Sequence, residues 1–446
     1  MSPKVIEPAK KPRKTQIVVA GGGAAGLELA TRLGARFGRA SFDIILVEQN
    51  RTHIWKPLLH EVAAGSLDAN LDEVGYRSHG HAWGYRFFYG TLEGIDRGNR
   101  HVLIAPILDE DGREIMGRHQ IRYDYLVLAV GSVSNDFGTK GVQQHCIFLD
   151  SRLQADRFRS QLLNHCLRVS RTLQADPSAG AQVRVDIVGG GATGVELAAE
   201  LYNAASELRH YGLEVFDESR LKVTLIEAGP RLLPALPEDL ANAAHKELEA
   251  LGVRVITGEQ VVEATAEGMI TKSGELIKAD LRVWAAGVKG PDMLAGLGLE
   301  TTGNNQLVVK PTLQTSRDER IFAIGDCAYF VPAGESRAVP PRAQAAHQMA
   351  ATAFRNIAAM IAGKPLQHFV YRDHGSLVSL SHFSTVGSLM GNLIGGRMAI
   401  EGRLARFVYV SLYRMHLIAI HGWLKGVALI LVGRVNRIVR PKLKLH

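Results

Sequence analysis

The chain has 446 residues and a formal net charge of +8, with 52 Lys and Arg against 44 Asp and Glu. Ten bases and one acid fall within residues 397–446, and five bases and one acid within residues 1–14, so residues 15–396 are net acidic. Confinement of positive charge to the two ends favours a local anionic partner over nucleic acid, and a hydrophobic content of 46% excludes a disordered chain.

Residues 1–14 are predicted to be a basic, disordered leader, because they lack the apolar run of a secretory signal. The cysteines do not form a CxxC pair, which excludes a disulfide framework, a local redox dithiol and an all-cysteine iron–sulfur cluster. Their small number favours a reducing, intracellular compartment. The three are Cys146, Cys166 and Cys327.

A dinucleotide-binding motif follows the first β-type run, Ile17-Val18-Val19-Ala20. A helical pattern comes next, and then a second β-type run, which ends in Glu48. In this order the glycines allow a tight turn, the approach of a pyrophosphate and close packing of helix on strand, and the acid accepts hydrogen bonds from a ribose. The motif residues are Gly21, Gly23, Ala24 and Gly26.

The same unit occurs again after Asp186-Ile187-Val188, and residues 189–198 match residues 21–30 at eight of ten positions. Its acid is Glu227, and acids at both positions favour NAD over NADP because they repel a 2′-phosphate. Arg231, four residues further on, is the one nearby feature that would suit NADP. The motif glycines are Gly189, Gly191 and Gly194.

A third buried-strand pattern, residues 320–324, ends in Gly325-Asp326. With two binding motifs before it, the chain resembles the flavoproteins that carry two dinucleotide-binding domains. That resemblance implies FAD on the first motif, NADH on the second and the Asp326 carboxylate on the flavin ribityl chain. It also implies that Gly131 and Gly287 mark the points where the chain crosses between the two domains.

Three further segments narrow the resemblance: His53 to Ala63, the A-Q-x-x-x-Q pattern of Gln344 and Gln348, and Asp373 to Leu377. Together they are similar to the type II NADH:quinone oxidoreductases, from about residue 15 to the C-terminus. The family implies non-covalent FAD, NADH as substrate and a membrane quinone as electron acceptor.

Three side chains are predicted to act in catalysis. Gln344 and Gln348 lie on one helical face, where their carboxamides offer donors to quinone carbonyls, although an Ala-rich helix with two solvent-facing glutamines has the same pattern. The family places Glu196 near the junction of flavin and nicotinamide, but a carboxylate also favours any helix N-terminus, and Glu28 stands at the matching place in the first repeat. His347 could be a proton donor, but it lacks the i,i+4 spacing from Gln344 and is expected to be solvated or packed.

A metal site is not expected, because no metal-ligand pattern of histidines and cysteines is present. The rival enzymes are a sulfide:quinone oxidoreductase, which needs reactive cysteines, and a soluble ferredoxin or disulfide reductase, which has no use for a basic tail. A non-enzymatic flavoprotein scaffold that binds NADH is the remaining alternative.

The C-terminal region combines apolar residues with bases and lacks the ~20 apolar residues that a spanning helix needs. Residues 373–446 are therefore predicted to contain a strand and an amphipathic membrane anchor, with Arg434, Arg437, Arg440, Lys442 and Lys444 on anionic lipid headgroups. A homodimer interface is the alternative use of the apolar surface.

The predicted fold is α/β, with two Rossmann-like domains and a C-terminal amphipathic helical anchor. The FAD-binding domain takes residues 15–150 and 301–372, and the NADH-binding domain takes residues 151–300. The predicted activity is NADH:quinone oxidoreduction without proton pumping. It is placed peripherally on the cytoplasmic face of the bacterial inner membrane.

Overall fold

The computed structural model describes residues 13–208, 213, 216, 218–380, 384–391, 396–401 and 413–439. Most of the predicted leader therefore lies outside the described residues.

The first motif belongs to a six-stranded sheet. Its central strand, Thr15–Ala20, pairs in parallel on both sides, and Ile17 to Ala20 are fully buried. Strands buried on both faces have continuous apolar sequences, which is the pattern of this segment. All pairs are parallel except the first, and the strands lie in the order Gln314–Thr315, Asp318–Ala323, Tyr125–Leu128, Thr15–Ala20, Phe42–Glu48 and Arg86–Tyr89.

The second motif belongs to a separate, five-stranded parallel sheet that repeats this arrangement. Val183–Val188 is its central strand, and Leu221–Glu227 next to it ends in the predicted ribose acid. The strand order is Ile147–Phe148, Leu281–Trp284, Val183–Val188, Leu221–Glu227 and Arg254–Thr257. Two parallel sheets, each opened by a glycine motif, confirm the predicted α/β fold with two Rossmann-like units.

Each motif is followed by a helix that packs on its sheet. We name these the first motif helix, Ala24–Phe37, and the second motif helix, Ala192–Leu208; the glutamine helix is Ala343–Ile361. The other α-helices are Leu59–Ala64, Ala69–Asp72, Tyr76–Trp83, Val142–His145, Arg152–Ala175, Glu238–Leu251, 413–421 and Trp423–Val439. Short 3-10 turns cover Lys56–Leu58, Glu218–Arg220, Asp292–Leu297 and Gly325–Cys327.

Smaller sheets complete the two units and the C-terminal region. Three have three antiparallel strands: His119–Arg122, His101–Ile104 and Leu92–Asp96; Val261–Ala264, Gly268–Thr271 and Leu276–Lys278; and Gly375–Leu380, Ser384–Gly391 and Gly396–Glu401. The two-stranded sheets pair Thr52–His53 with Val74–Gly75, Ile107–Leu108 with Glu114–Met116, Val133–Ser134 with Val288–Lys289, and Leu307–Val308 with Ala328–Tyr329.

The chain passes between the two units beside the antiparallel pair Val133–Ser134 and Val288–Lys289. Ile147–Phe148 already pairs within the second sheet. Leu294, Leu297 and Leu299 pack in the hydrophobic core of the first unit. The predicted boundaries at residues 150 and 300 divide the chain by which cofactor each part binds. They stay a prediction.

Helix 413–421 packs on the first unit through histidines. His53 and His416 share a hydrogen bond of 2.9 Å between their Nε2 atoms, and His79 Nε2 lies 2.8 Å from the carbonyl oxygen of Ile420. The ring of Trp55 lies over that of His416, with 4.1 Å between ring centroids. His416 and Ile420 are buried, so this helix is part of the core rather than an appendage. Among the described residues, no helix has the length and apolar character needed to cross a membrane.

Acid pH is expected to release helix 413–421. Burial lowers the pKa of His53 and of His79 to about 4, and it holds the pKa of His416 well below its ordinary value. The released histidines would titrate near 6.5, so docking is fully stable above that pH. It weakens as the pH falls toward 4, by up to about 1.4 kcal/mol per histidine and pH unit.

Limited proteolysis of the C-terminal region at pH 7 and pH 5 measures this release. Local cleavage is preferable to global melting, because burial raises the pKa of Asp186 to about 7, a shift that works in the opposite direction. Equal cleavage rates at the two pH values would contradict the prediction.

Candidate active site between the glycine loops and the glutamine helix

The first glycine loop is shaped by packing at one end and open at its centre. Gly21 has φ +105°, and a Cβ at Gly26 would lie 1.9 Å from the carbonyl oxygen of Gly21. A Cβ at Gly23 would meet no protein atom within 4 Å. Helix packing therefore requires Gly26, whereas Gly23 leaves space at the helix N-terminus, where backbone N–H groups attract a pyrophosphate.

The second loop reproduces this geometry. A Cβ at Gly194 would lie 2.0 Å from the carbonyl oxygen of Gly189, which has φ +114°, and a Cβ at Gly191 would meet nothing within 4 Å. Both loops therefore have the same shape, and binding of a dinucleotide by these glycines stays a prediction.

Glu48 and Glu227, the two predicted ribose acids, each lie against the second of the three consecutive glycines in their own loop. The backbone N–H of Gly22 donates to Glu48 Oε2 at 2.7 Å, and that of Gly190 donates to Glu227 Oε2 at 2.6 Å. Each carboxylate is thus fixed beside the turn that faces the adenosine half of a dinucleotide.

The Arg231 side chain is bonded to its own loop. Its guanidinium donates to the backbone carbonyls of Leu233, Pro234 and Leu236 at 3.1–3.2 Å. These three bonds compete with any contact to a 2′-phosphate, and the selection of NADH by Glu227 stays a prediction.

Asp326 lies in the 3-10 turn that follows strand Asp318–Ala323 of the first sheet. Gly325 and Gly131 both have φ +74°, and a Cβ at Gly131 would meet nothing within 4 Å. The Ser132 hydroxyl donates to Asp326 Oδ2 at 3.0 Å, and Lys56 donates to the Ser132 carbonyl at 2.9 Å. Burial raises the pKa of the Asp326 carboxyl, and the Lys56 ammonium opposes that rise. This polar corner fits the hydroxyls of a ribityl chain.

At the other crossing point, Gly287 has φ +63°. A Cβ there would lie 2.6 Å from the Phe137 ring, so only glycine fits.

Gln344 and Gln348 hold the backbone that precedes the C-terminal sheet. The Gln344 amide nitrogen donates to Asp373 Oδ1 at 3.0 Å and to the Gly375 carbonyl at 2.9 Å, and its oxygen accepts from the His374 N–H at 3.0 Å. Gln348 exchanges two hydrogen bonds with the backbone of Arg372, at 2.8 and 2.9 Å. Gln344 therefore uses both amide hydrogens, whereas Gln348 uses one of its two.

Glu196 is buried near the N-terminal end of the second motif helix, one turn after its first residue. Its Oε1 accepts the Ser379 N–H at 3.1 Å, and its Oε2 lies 3.5 Å from His60 Nδ1. Burial lowers the pKa of His60 to about 4, so that imidazole is neutral at pH 7.

Strand Gly375–Leu380 brings these side chains together. Gln344 bonds it at its first residue, and Glu196 bonds it at Ser379. Four residues of extended chain span roughly 13 Å. The glutamine helix of the first unit and the second motif helix of the other unit therefore meet at one strand.

His347 is packed, against the rings of Trp55 and His416, and it also has an ionisable partner. Its Nδ1 hydrogen-bonds the carboxylate of Glu28, which is buried and also pairs with Arg32 at 2.6 Å. Ser132 and His60 also contact predicted site residues, and Lys56 contacts Ser132, although the sequence alone did not predict a role for these three in the site. Lys56 and His60 lie in the segment 53–63 that carried the family resemblance, and that segment was the available signal.

The cysteines do not form a reactive pair. All three are free thiols, and burial raises the pKa of Cys146, Cys166 and Cys327 to about 12. Thiols are nucleophilic as thiolates, so these side chains do not suit sulfide or disulfide chemistry.

Residues 15–350 match the family model described as pyridine nucleotide-disulphide oxidoreductase. A curated type II NADH:quinone oxidoreductase of Haemophilus influenzae is 48% identical over 442 residues, which cover 96% of this chain and 99% of that protein. The chain belongs to the type II NADH:quinone oxidoreductase family. A Staphylococcus aureus protein of the same description is 29% identical, over 86% of this chain and 92% of its own length.

Solved structures show how widely the fold of this type II oxidoreductase is shared. The structure of NDH2 from Plasmodium falciparum in complex with NADH has a TM-score of 0.80 at 18% identity, covering 97% of this chain and 100% of that one. The sulfide:quinone oxidoreductase of Aquifex aeolicus has a TM-score of 0.70 at 18% identity, covering 95% of each chain. Because these likenesses concern the fold alone, the sequence identity and the buried cysteines separate this chain from the sulfide enzyme.

Proposed function

We propose that this chain oxidises NADH and reduces a membrane quinone. Bound FAD supplies the chemistry that joins the two substrates, since it accepts a hydride and gives up two electrons. The observation that carries the proposal is the strand Gly375–Leu380, which is bonded by Gln344 from the FAD-binding unit and by Glu196 from the NADH-binding unit. These side chains are far apart in the sequence, and we propose that they border one site.

The residues divide between the two dinucleotides. FAD is held non-covalently by Gly21, Gly23, Ala24, Gly26, Glu48, Gly131, Gly325 and Asp326. NADH is held by Gly189, Gly191, Gly194, Glu227 and Gly287.

We propose different roles for the two glutamines. Gln348 keeps one amide hydrogen that can be donated to a quinone carbonyl, and we place it in contact with the quinone. Gln344 uses both of its amide hydrogens on residues 373–375, so it acts by fixing that wall of the site. Glu196 fixes the far end of the same wall through Ser379.

The C-terminal helices are proposed to lie on anionic lipid at the cytoplasmic face of the inner membrane. The last helix, Trp423–Val439, exposes Trp423, Leu424, Leu429, Leu431, Val432 and Val435. Such a surface inserts into the headgroup region, and neighbouring bases add roughly 1 kcal/mol each. The side chains of Arg434 and Arg437, and all of Arg440, Lys442 and Lys444, lie outside the described residues.

A homodimer would use the same apolar face, and sedimentation with and without anionic vesicles separates dimerisation from lipid binding.

Electron transfer is proposed to occur without proton pumping. The reaction takes up one proton from the medium, so a change of pH alone does not test this. A membrane potential formed by NADH in liposomes that contain only this protein would contradict it.

The Gln348→Ala variant tests the quinone contact. Loss of one neutral hydrogen bond costs about 0.5–1.5 kcal/mol, so KM for a ubiquinone analogue is expected to rise about threefold to tenfold. Reduction of ferricyanide, which needs no quinone pocket, serves as the internal reference, and Gln120→Ala on an exposed strand is the matched control. An unchanged KM in Gln348→Ala would remove this residue from the quinone site.

A further inference from the structure

Quinone reduction needs one proton from the medium. NADH carries a hydride, and a quinol holds two hydrogens, so the balanced reaction is NADH + H⁺ + quinone → NAD⁺ + quinol. If the proposed function is correct, a side chain near the start of the glutamine helix has to deliver that proton, because direct entry of water would expose the reduced cofactor.

Glu28 and His347 form a buried acid–base pair at this place. The Glu28 carboxylate is 1% exposed, and it is held by Arg32, whose side chain is 41% exposed, and by His347 Nδ1. These two contacts satisfy the buried carboxylate oxygens and fix the position of the imidazole.

The free nitrogen of His347 faces an aromatic cluster. Among the described residues, His347 Nε2 and His416 Nδ1 are both buried and have no hydrogen-bond partner. The two rings lie 5.4 Å apart, centroid to centroid, and both contact Trp55. Each of these two nitrogens therefore retains a hydrogen-bonding position that no described protein group uses.

The hydrogen-bond pattern assigns the proton within the cluster. His53 Nδ1 lies 2.9 Å from the Gly22 carbonyl, so it must carry a hydrogen, and the neutral ring then accepts at Nε2. His416 consequently donates from Nε2 and has a bare Nδ1. Burial holds the pKa of His416 well below its ordinary value, in keeping with a neutral ring. His347 is the ring of this cluster that contacts a carboxylate, through Nδ1.

We propose that His347, held in position by Glu28, donates the medium proton to the quinone. The Nε2–H bond breaks, an O–H bond forms on the quinone oxygen, and the electron pair of the broken bond stays on Nε2. The neutral imidazole then regains a proton from the medium, while the second hydrogen and both electrons originate in NADH. His347 lies between Gln344 and Gln348 on the glutamine helix, three residues from the former and next to the latter.

The corresponding pair in the second repeat does not compete for this role. Glu196 occupies the place that matches Glu28, and its imidazole partner is His60. Because burial lowers the pKa of His60 to about 4, that ring lacks a proton to give at neutral pH. The titratable or charged groups that face His347 are Glu28 and Arg32 from the first motif helix and His416 from helix 413–421.

The test compares His347→Gln, Glu28→Gln and wild type with two electron acceptors. In His347→Gln, kcat with a ubiquinone analogue is expected to fall about 100-fold, the usual loss for a general acid. Flavin content and the rate with ferricyanide, which takes electrons without protons, should remain within twofold of wild type. The solvent isotope effect on quinone reduction should rise, because proton delivery becomes limiting.

Glu28→Gln is expected to lower kcat with quinone about tenfold while KM for quinone and the ferricyanide rate stay at wild-type values, because the carboxamide still contacts His347 Nδ1 but holds the ring less firmly. His245→Gln is the matched control, since His245 pairs with Glu249 at 3.4 Å on a surface helix away from the site. A wild-type quinone rate and pH profile in His347→Gln would overturn the proposal, and so would an equal fall with both acceptors. A wild-type protein that reduces ferricyanide but not quinone would instead refute the proposed function.

Discussion

Alanine at Gly26 is expected to abolish FAD binding, whereas alanine at Gly23 leaves the fold intact and weakens FAD binding about tenfold or more. At Gly26 the new Cβ would lie 1.9 Å from the Gly21 carbonyl oxygen and 3.1 Å from the Ala129 Cβ, so helix and strand must separate. Overpacking of this kind costs about 1–3 kcal/mol or more. At Gly23 the methyl group meets no protein atom within 4 Å, so it obstructs only the pyrophosphate.

Flavin absorbance per protein, together with the thermal midpoint, distinguishes the two variants. Gly26→Ala should have a lower flavin content and a lower thermal midpoint. In Gly23→Ala only the flavin content should fall. The second loop offers the matched pair Gly194→Ala and Gly191→Ala, in which NADH binding replaces flavin as the readout. A Gly26→Ala protein with full flavin content would show that the loop does not hold FAD in the way described.

Glu196→Gln is expected to lower quinone reduction about fivefold to tenfold while hydride transfer from NADH continues. The carboxylate accepts the Ser379 N–H, and in the proposed function it thereby fixes the strand that borders the quinone site. A glutamine oxygen can still accept this N–H, so the variant exchanges a hydrogen bond to a charged group for a neutral one, a difference of about 1 kcal/mol or slightly more.

Glu200→Gln is the matched control for this variant. Glu200 is buried one turn further along the same helix, but its carboxylate bonds Asn203 at 2.9 Å instead of the C-terminal strand. Stopped-flow measurement separates flavin reduction by NADH from reoxidation by quinone. Equal slowing of both half-reactions in Glu196→Gln would contradict a role on the quinone side.

The local parts of the site were predictable from the sequence. Each glycine motif lies between an apolar strand and a helix, and each is followed by a strand that ends in an acid. The spacing of Gly26 and Gly194 within their motifs is fixed by contacts inside a single turn. For that reason the fold class, the two loops and Glu48 and Glu227 could be inferred without a structure.

The contacts between distant segments were not predictable in this way. His347 bonds Glu28 across 319 residues, and His53 bonds His416 across 363. Spacing along one helix says nothing about a partner from another, so His347 seemed unimportant when it was compared only with Gln344. Glu28 likewise resembled an ordinary helix N-terminal carboxylate. The fold, rather than any local pattern, supplied their partners.

NADH oxidation by the purified protein, followed without oxygen and with a ubiquinone analogue, tests the central claim most directly. We expect NADH oxidation to depend on quinone, and we expect one quinol to form for each NADH consumed. NADH oxidation that proceeds equally without quinone, or quinone reduction driven by sulfide in place of NADH, would contradict it.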